Sequence, residues 1–196
     1  MNTLHIADAA ASERAKYDEI WGHAEYKKFS PGLENVERFI NVLEPYAMAS
    51  LIDVGCGAGV AGLEFQKIGF RVTWLDLSDA GLDQKVDRKN FIQSPIWSDQ
   101  WALRNKGLGW DYGFCCDVME HIPTEYTTLC LDRIIKACRT TWFQIALHPD
   151  EFGAMIGKPL HLTVQPFKWW LERIASLGNV IEARDLCGTA LFVVNR

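Results

Sequence analysis

Along the first 45 positions the apolar residues keep helical spacing; from position 51 they fall into short runs alternating with amphipathic stretches. Ser12 predicts the cap of a helix running through Tyr17, Ile20, Trp21 and Ala24. Ser30-Pro31 predicts a second start, serine as cap and proline at the first helical position, with Leu33, Val36, Phe39, Ile40 and Leu43 on one face and Pro45 as the stop. Strands are predicted over 51–54, 70–75, 91–93, 112–116 and 142–147, with helices over 60–68, 124–138 and 167–177. Two more strands, 180–185 and 190–194, are joined by Leu186-Cys187-Gly188-Thr189 with no helix between them. Alternating strands and helices imply a parallel sheet covered on both faces. The final short connection cannot make a parallel crossover, so that pair must be antiparallel. The expectation is an α/β, doubly wound, seven-stranded sheet with six parallel strands and one antiparallel, preceded by N-terminal helices.

At 196 residues with no Pro/Gly/Ser-rich linker or repeat, the chain predicts one domain, residues 1–45 forming a helical cap and 46–196 the α/β core. A hydrophobic share of 48% and a net charge of -5 exclude dominant disorder and argue against a broad basic face for duplex nucleic acid. The eight tryptophans are unusual, and imply that some aromatic side chains line a binding site as well as the core. Six cysteines without a C-x-x-C pair read as small buried hydrophobes in a reducing compartment, and no Cys/His spacing suggests a metal. The N-terminus lacks the basic and apolar regions of a secretory leader, and no apolar run reaches the ~20 residues a membrane span needs. A cytoplasmic location is expected.

Ile52-Asp53-Val54-Gly55-Cys56-Gly57-Ala58-Gly59 ends the first predicted strand. Alternate glycines let backbone turn tightly and approach a ligand, at the sheet edge where α/β domains bind them. Asp53 sits inside the strand end, and Asp76 ends the second strand 21 residues after Gly55, where a carboxylate can accept both ribose hydroxyls. The plainer alternatives are a helix or loop cap for Asp53 and an N-cap of the next turn for Asp76. A dinucleotide fingerprint wants glycine at position 60, where this chain has Val60. A carboxylate at the strand end instead suits a ligand carrying an ammonium and a sulfonium.

With the segment Asp117-Val118-Met119-Glu120-His121-Ile122-Pro123, this glycine run resembles the class I S-adenosylmethionine-dependent methyltransferases, over roughly residues 31–196. More narrowly, it is similar to small methyltransferases of phage and bacterial genomes. The resemblance implies a Rossmann-like sheet with S-adenosylmethionine as cofactor. Gly55, Cys56, Gly57 and Gly59 would pass beneath its methionine and ribose, and Asp53 would orient the loop and the amino group. Asp76 would hold the ribose, Leu77 would pack on adenine, and Cys116 and Asp117 would border the methionine end. The family's small-acidic pair after the third strand is missing; Gln93 or Ser94 would hydrogen-bond adenine here, and Ile96 or Trp97 pack on it.

His121 is the candidate general base, with Glu120 orienting its ring or serving as base itself; the alternative is that both cap the next helix. His148 and His161 are candidate substrate contacts, each equally readable as a loop histidine without a catalytic role. Trp21 and Tyr26 are candidate lid residues that exclude water and touch substrate, or ordinary helix packing. Adjacent Trp169 and Trp170 cannot share a helix face, so one belongs in the core and the other at its edge. The leading function is methyl transfer to a small molecule, a sugar or other hydroxylated metabolite. The alternatives are methylation of a protein or nucleic acid with a partner subunit, and a non-catalytic cofactor-binding protein; Asp53 and the closing antiparallel pair count against a nicotinamide-dependent dehydrogenase.

Overall fold

The computed structural model describes residues 3–28, 30–104 and 109–196. Helices α1 (Thr3–Ile20), α2 (Ala24–Lys27) and α3 (Pro31–Leu43) precede β1 (Ser50–Val54), α4 (Val60–Lys67), β2 (Arg71–Asp76) and β3 (Phe91–Gln93). A short α5 (Gln100–Leu103) leads to β4 (Trp110–Cys116), α6 (Thr124–Ala137), β5 (Cys138–Ala146), α7 (Phe167–Ala175), β6 (Asn179–Asp185) and β7 (Thr189–Asn195). One seven-stranded mixed sheet runs in the order β3-β2-β1-β4-β5-β7-β6. β7 lies antiparallel to both β5 and β6, and the other pairings are parallel.

Side chains alternate across this sheet as period-two geometry requires. Ile52 and Val54 of β1, Cys115 of β4 and Phe192 of β7 join Leu131, Ile134 and Trp170 in one buried cluster with α6 and α7. Leu51, Phe114, Trp142 and Val193 face the other way, against Phe39 of α3 and Phe65 of α4. Phe39 is fully buried, with the rings of Phe65, Phe70, Tyr112, Phe114 and Trp142 around it at edge-to-face angles. Asp53 shares the parity of Leu51, which aims a carboxylate into the α4 face. The chain runs outward from β1 to β3 and then returns to place β4 on the other side of β1. The crevice at that reversal is where such sheets bind ligands.

Several expectations need correction. Ser12 is no cap: it lies exposed within α1, which began upstream. That helix ends at Ile20, so Trp21 falls in a turn and Ala24 opens a separate helix. The second helix stops at Glu44, whose left-handed φ of 43° ends it before Pro45. β5 starts four residues earlier than residue 142, directly after α6; the polar Arg139, Thr140 and Thr141 masked the strand, yet Thr140 and Thr141 pair with both neighbours. Cys187 breaks the rule of buried cysteines, being exposed at the β6–β7 turn with φ 56°, while Cys115, Cys116, Cys130 and Cys138 are buried. Trp170 is core, and Trp169 lies at its edge with Arg173 stacked 3.3 Å from its ring centre. Among the described residues no helix is long and apolar enough to cross a membrane.

Candidate active site

The loop after β1 turns through three left-handed glycines, Gly55 (φ 68°), Gly57 (φ 53°) and Gly59 (φ 77°). Space as well as φ demands glycine: a Cβ on Gly55 would come within 2.4 Å of Val118 Cγ2, and one on Gly57 within 2.9 Å of Trp21 Cζ2. Asp53, 4% exposed, accepts the Gly62 amide of α4 at 3.0 Å. Burial raises its carboxyl to about 7, against the pull of that amide. Asp76 accepts the Gly57 amide at 2.8 Å and the Ser78 amide at 2.9 Å, bracing the glycine loop from the end of β2, and burial raises its pKa as well. Both carboxylates therefore have the structural roles of the plainer alternatives while also lining cavities.

Two adjoining cavities meet over this loop. One, of about 100 Å³, is bordered by Asp76, Leu77, Ile96 and Trp97, with Glu13 and Tyr17 of α1 opposite. The other, of about 430 Å³, runs from Asp53, Cys56 and Cys116 to His148, Phe152 and His161. Trp21, Tyr26, Gly55, Gly57, Asp117 and His121 border both. Asp117 occupies the left-handed region (φ 53°), a strained place for a residue with a side chain. Its amide donates to the Gln144 carbonyl at 3.0 Å, Gln144 Nε2 donates back to its carboxylate at 3.4 Å, and burial raises its pKa.

Gln93 and Ser94 border neither cavity. Gln93 is exposed and donates to Asp79 at 3.1 Å, because it points off the sheet edge, and the chain turns inward only at Pro95–Trp97. Trp21 is buried against both Gly57 and Gly81 and stacks edge to face with Tyr26 at 4.8 Å. Tyr26 in turn meets Phe152 at 5.4 Å, so an aromatic wall crosses from the N-terminal helices to the loop after β5. Phe29, in the same aromatic stretch, lies outside the described residues.

His121 ends a short 3-10 turn, Met119–His121. Its Nδ1 lies 2.8 Å from the Tyr17 hydroxyl and 3.2 Å from the Leu160 carbonyl oxygen. A carbonyl can only accept, so in the tautomer with hydrogen on Nδ1 that hydrogen is shared between Leu160 and Tyr17 and the lone pair lies on Nε2. Desolvation, with His161 and Lys16 adding to it, lowers the ring to about 3, so it stays neutral. Glu120 does not orient this ring by hydrogen bond. Fully buried, it borders neither cavity; its Oε1 accepts the Ala146 amide at 2.9 Å, and its Oε2 has no partner among the described residues. Its own carbonyl accepts the amides of Leu162 and Thr163, each at 2.8 Å. Burial and the nearby Asp117 raise its carboxyl well above the usual range.

His161 meets His121 edge to face at 4.6 Å and lies tilted to His148 at 5.9 Å. Asp150 fixes that loop, accepting the amides of Gly153, Leu160 and His161. The ligand atoms of Glu120, His121 and His161 all lie within 4.8 Å of one another, a set able to hold a metal ion. Forty residues separate His161 from His121, so no sequence spacing signals this cluster. Tyr17, Glu13 and Gln144 were likewise missed, and only the aromatic content of the N-terminal stretch hinted at Tyr17.

No protein-family model matches the chain. It is 26% identical over 130 residues to a ubiquinone biosynthesis O-methyltransferase of Thiobacillus denitrificans, covering 60% of this chain and 55% of that protein. The namesake from Shewanella halifaxensis is 32% identical over 94 residues, 45% of this chain and 36% of its own length. The chain thus spans about a third to half of these curated relatives. Its fold matches a Burkholderia thailandensis 1,6-didemethyltoxoflavin-N1-methyltransferase solved with 1,6-didemethyltoxoflavin and S-adenosylhomocysteine, with a TM-score of 0.67 and 14% identity over 100% of this chain and 90% of that one. The residues present suit that cofactor: glycines leave a cradle that a Cβ would fill, and the buried Asp53 carboxylate has no side-chain cation acting on it among the described residues. In sequence the chain is similar to S-adenosylmethionine-type O-methyltransferases of ubiquinone biosynthesis, and in fold it resembles a methyltransferase solved with S-adenosylhomocysteine.

Proposed function

We propose that the chain transfers a methyl group to a hydroxyl of a small hydroxylated metabolite by in-line displacement, an acidic hydroxyl in preference to that of a sugar. The reading rests above all on the two cavities that meet at the glycine loop and share His121. The name of the ubiquinone biosynthesis O-methyltransferases supports oxygen as the acceptor atom. In this reading residues 1–45 form a cap on a doubly wound, Rossmann-like core.

S-adenosylmethionine, when bound, supplies a methyl group on a sulfonium that departs as a neutral thioether. Asp76 and Leu77 would hold its ribose and adenine, with Ile96 and Trp97 in place of the expected Gln93 and Ser94. Asp53 would pair with its ammonium, and Gly55, Cys56, Gly57, Gly59, Cys116 and Asp117 would shape its path. His121, neutral and with Nε2 available, would receive the acceptor's hydroxyl proton as the oxygen attacks the methyl carbon. An imidazole held near 3 is a weak base, so the arrangement favours an acidic hydroxyl, phenolic or enolic, over an aliphatic one. Trp21 and Tyr26 would exclude water, and His148 and His161 would line the acceptor side.

Calorimetric titration with S-adenosylmethionine, S-adenosylhomocysteine and NAD tests the cofactor. Binding of the first two without NAD is expected, and no binding of either to folded protein overturns the reading. His121→Ala should keep cofactor affinity and lose turnover by about 10²–10⁴-fold; retained turnover would remove His121 as base.

A further inference from the structure

The larger cavity is acceptor-rich to an unusual degree. Glu34, Asp117, Asp150 and Glu151 border it, and no lysine or arginine does among the described residues, although the chain carries 20 of them. Its histidines add to this bias. His148 Nδ1 lies 2.9 Å from the Pro149 carbonyl oxygen and His161 Nδ1 2.6 Å from that of His148, so both rings spend their Nδ1 hydrogen internally. In the neutral ring that leaves Nε2 as an acceptor, as at His121. The cavity therefore offers carboxylates and imidazole lone pairs, with no cation or donor fork of the kind that holds a carboxylate or phosphate. On its far side the Trp21–Tyr26–Phe152 wall presents aromatic surface, which suits a flat ring and attracts a cation.

Resting on the methyltransferase reading, we propose that this cavity selects a flat, hydroxylated acceptor bearing an amine, accepts its uncharged counterpart less tightly, and rejects its carboxylate counterpart. Hydroxyl and ammonium hydrogens find carboxylate and imidazole acceptors there, while an anion would enter a field of its own sign with only the neutral donors of Ser30, Tyr26, Gln144 and Thr189 to meet it.

Three probes that share one catechol ring test it: 3,4-dihydroxybenzylamine, catechol and 3,4-dihydroxybenzoate, titrated into protein saturated with S-adenosylhomocysteine, with a chelator present. The amine is expected to bind at least tenfold more tightly than the carboxylate, with catechol between them. The double variant Glu34→Gln/Glu151→Gln should narrow that ratio while the affinity for S-adenosylhomocysteine holds. A carboxylate that binds as well as the amine overturns the proposal, as does an unchanged ratio in the double variant. Failure of all three probes on cofactor-loaded protein overturns it too and leaves the cofactor reading standing. Failure of S-adenosylhomocysteine itself removes the methyltransferase reading, and the proposal with it.

Discussion

The hydroxyl of Tyr17 stands 2.8 Å from Nδ1 of His121, so a residue of the first helix touches the candidate base across 104 positions of sequence. The same helix reaches over with Lys16, whose ammonium donates to the Pro159 carbonyl at 3.3 Å. The ring that would accept a proton is therefore positioned partly from outside the α/β core. Tyr17→Phe removes one hydrogen bond worth about 0.5–1.5 kcal/mol while keeping the ring packing. Turnover should fall about 3–10-fold, with the affinity for S-adenosylmethionine unchanged in calorimetry. An equal loss in both would mean that Tyr17 serves the cofactor cavity instead.

Asp53 sets a pH dependence on cofactor binding. Burial holds its carboxyl near 7 in the free protein, and an ammonium beside it would return it to the ionised state. Below pH 7 binding then releases a proton, so the dissociation constant should rise as pH falls, by up to about tenfold per unit, and level off above 7. Asp53→Asn should bind weakly at every pH without that slope. A wild-type affinity flat from pH 5 to 8 would separate Asp53 from the ammonium.

His121 acts on stability in the same window. Unfolded, it charges below about 6.5; folded, it stays neutral down to about 3. The unfolded chain thus binds more protons between these values, and the stability that burial of the neutral ring permits is complete above 6.5 and declines as pH drops. Asp53, with its raised pKa, works in the opposite direction, so the useful comparison is between proteins. Between pH 7 and 5, His121→Gln should lose roughly 1–2 kcal/mol less than the wild type in urea unfolding.

The glycine loop separates strain from crowding. Gly57→Ala places a Cβ against Trp21 in a left-handed conformation, and should cost about 1–3 kcal/mol and most of the cofactor affinity. Gly69→Ala is the control: its φ is 102°, but nothing lies within 4 Å of the added carbon. It should lose stability only, measured by the same titration and melt.

Phe39→Ala removes the ring at the centre of the α3–α4 face and should cost about 3–5 kcal/mol. The fraction that remains folded should bind cofactor normally, since Phe39 borders neither cavity.

The parallel core was legible because its strands are short apolar runs that strong turn signals interrupt, as at Leu51–Val54 before the glycines. The start of β5 is hidden in the sequence because Arg139 there is exposed and Thr140 half-buried, and Thr141 is buried by pairing and by the space that Gly113 leaves rather than by its own hydrophobicity. The glycine loop, Asp53 and Asp76 could be placed because backbone conformation there demands particular residue types. Gln93 could not, since which way a side chain leaves a three-residue edge strand depends on the chain beyond it. Glu120 stood beside His121 in sequence and was paired with it, yet the 3-10 turn sends one into the core and the other to the cavity rim. Tyr17 and His161 are brought to that rim by elements far away in the chain, a relation no local pattern encodes.

The buried Glu120 has a further consequence for how this protein can diversify. Its carbonyl and carboxylate fasten the amides of Leu162, Thr163 and Ala146, so three connections at the ligand edge are riveted to one residue. Between those fixed points the stretch from Glu151 to Lys158 is held by the Gly153 amide on Asp150, by Lys158 on Glu19 and by Phe152 against Tyr26. New acceptor preferences can be written into those eight positions, by mutation or by insertion, without redrafting the floor on which the cofactor rests.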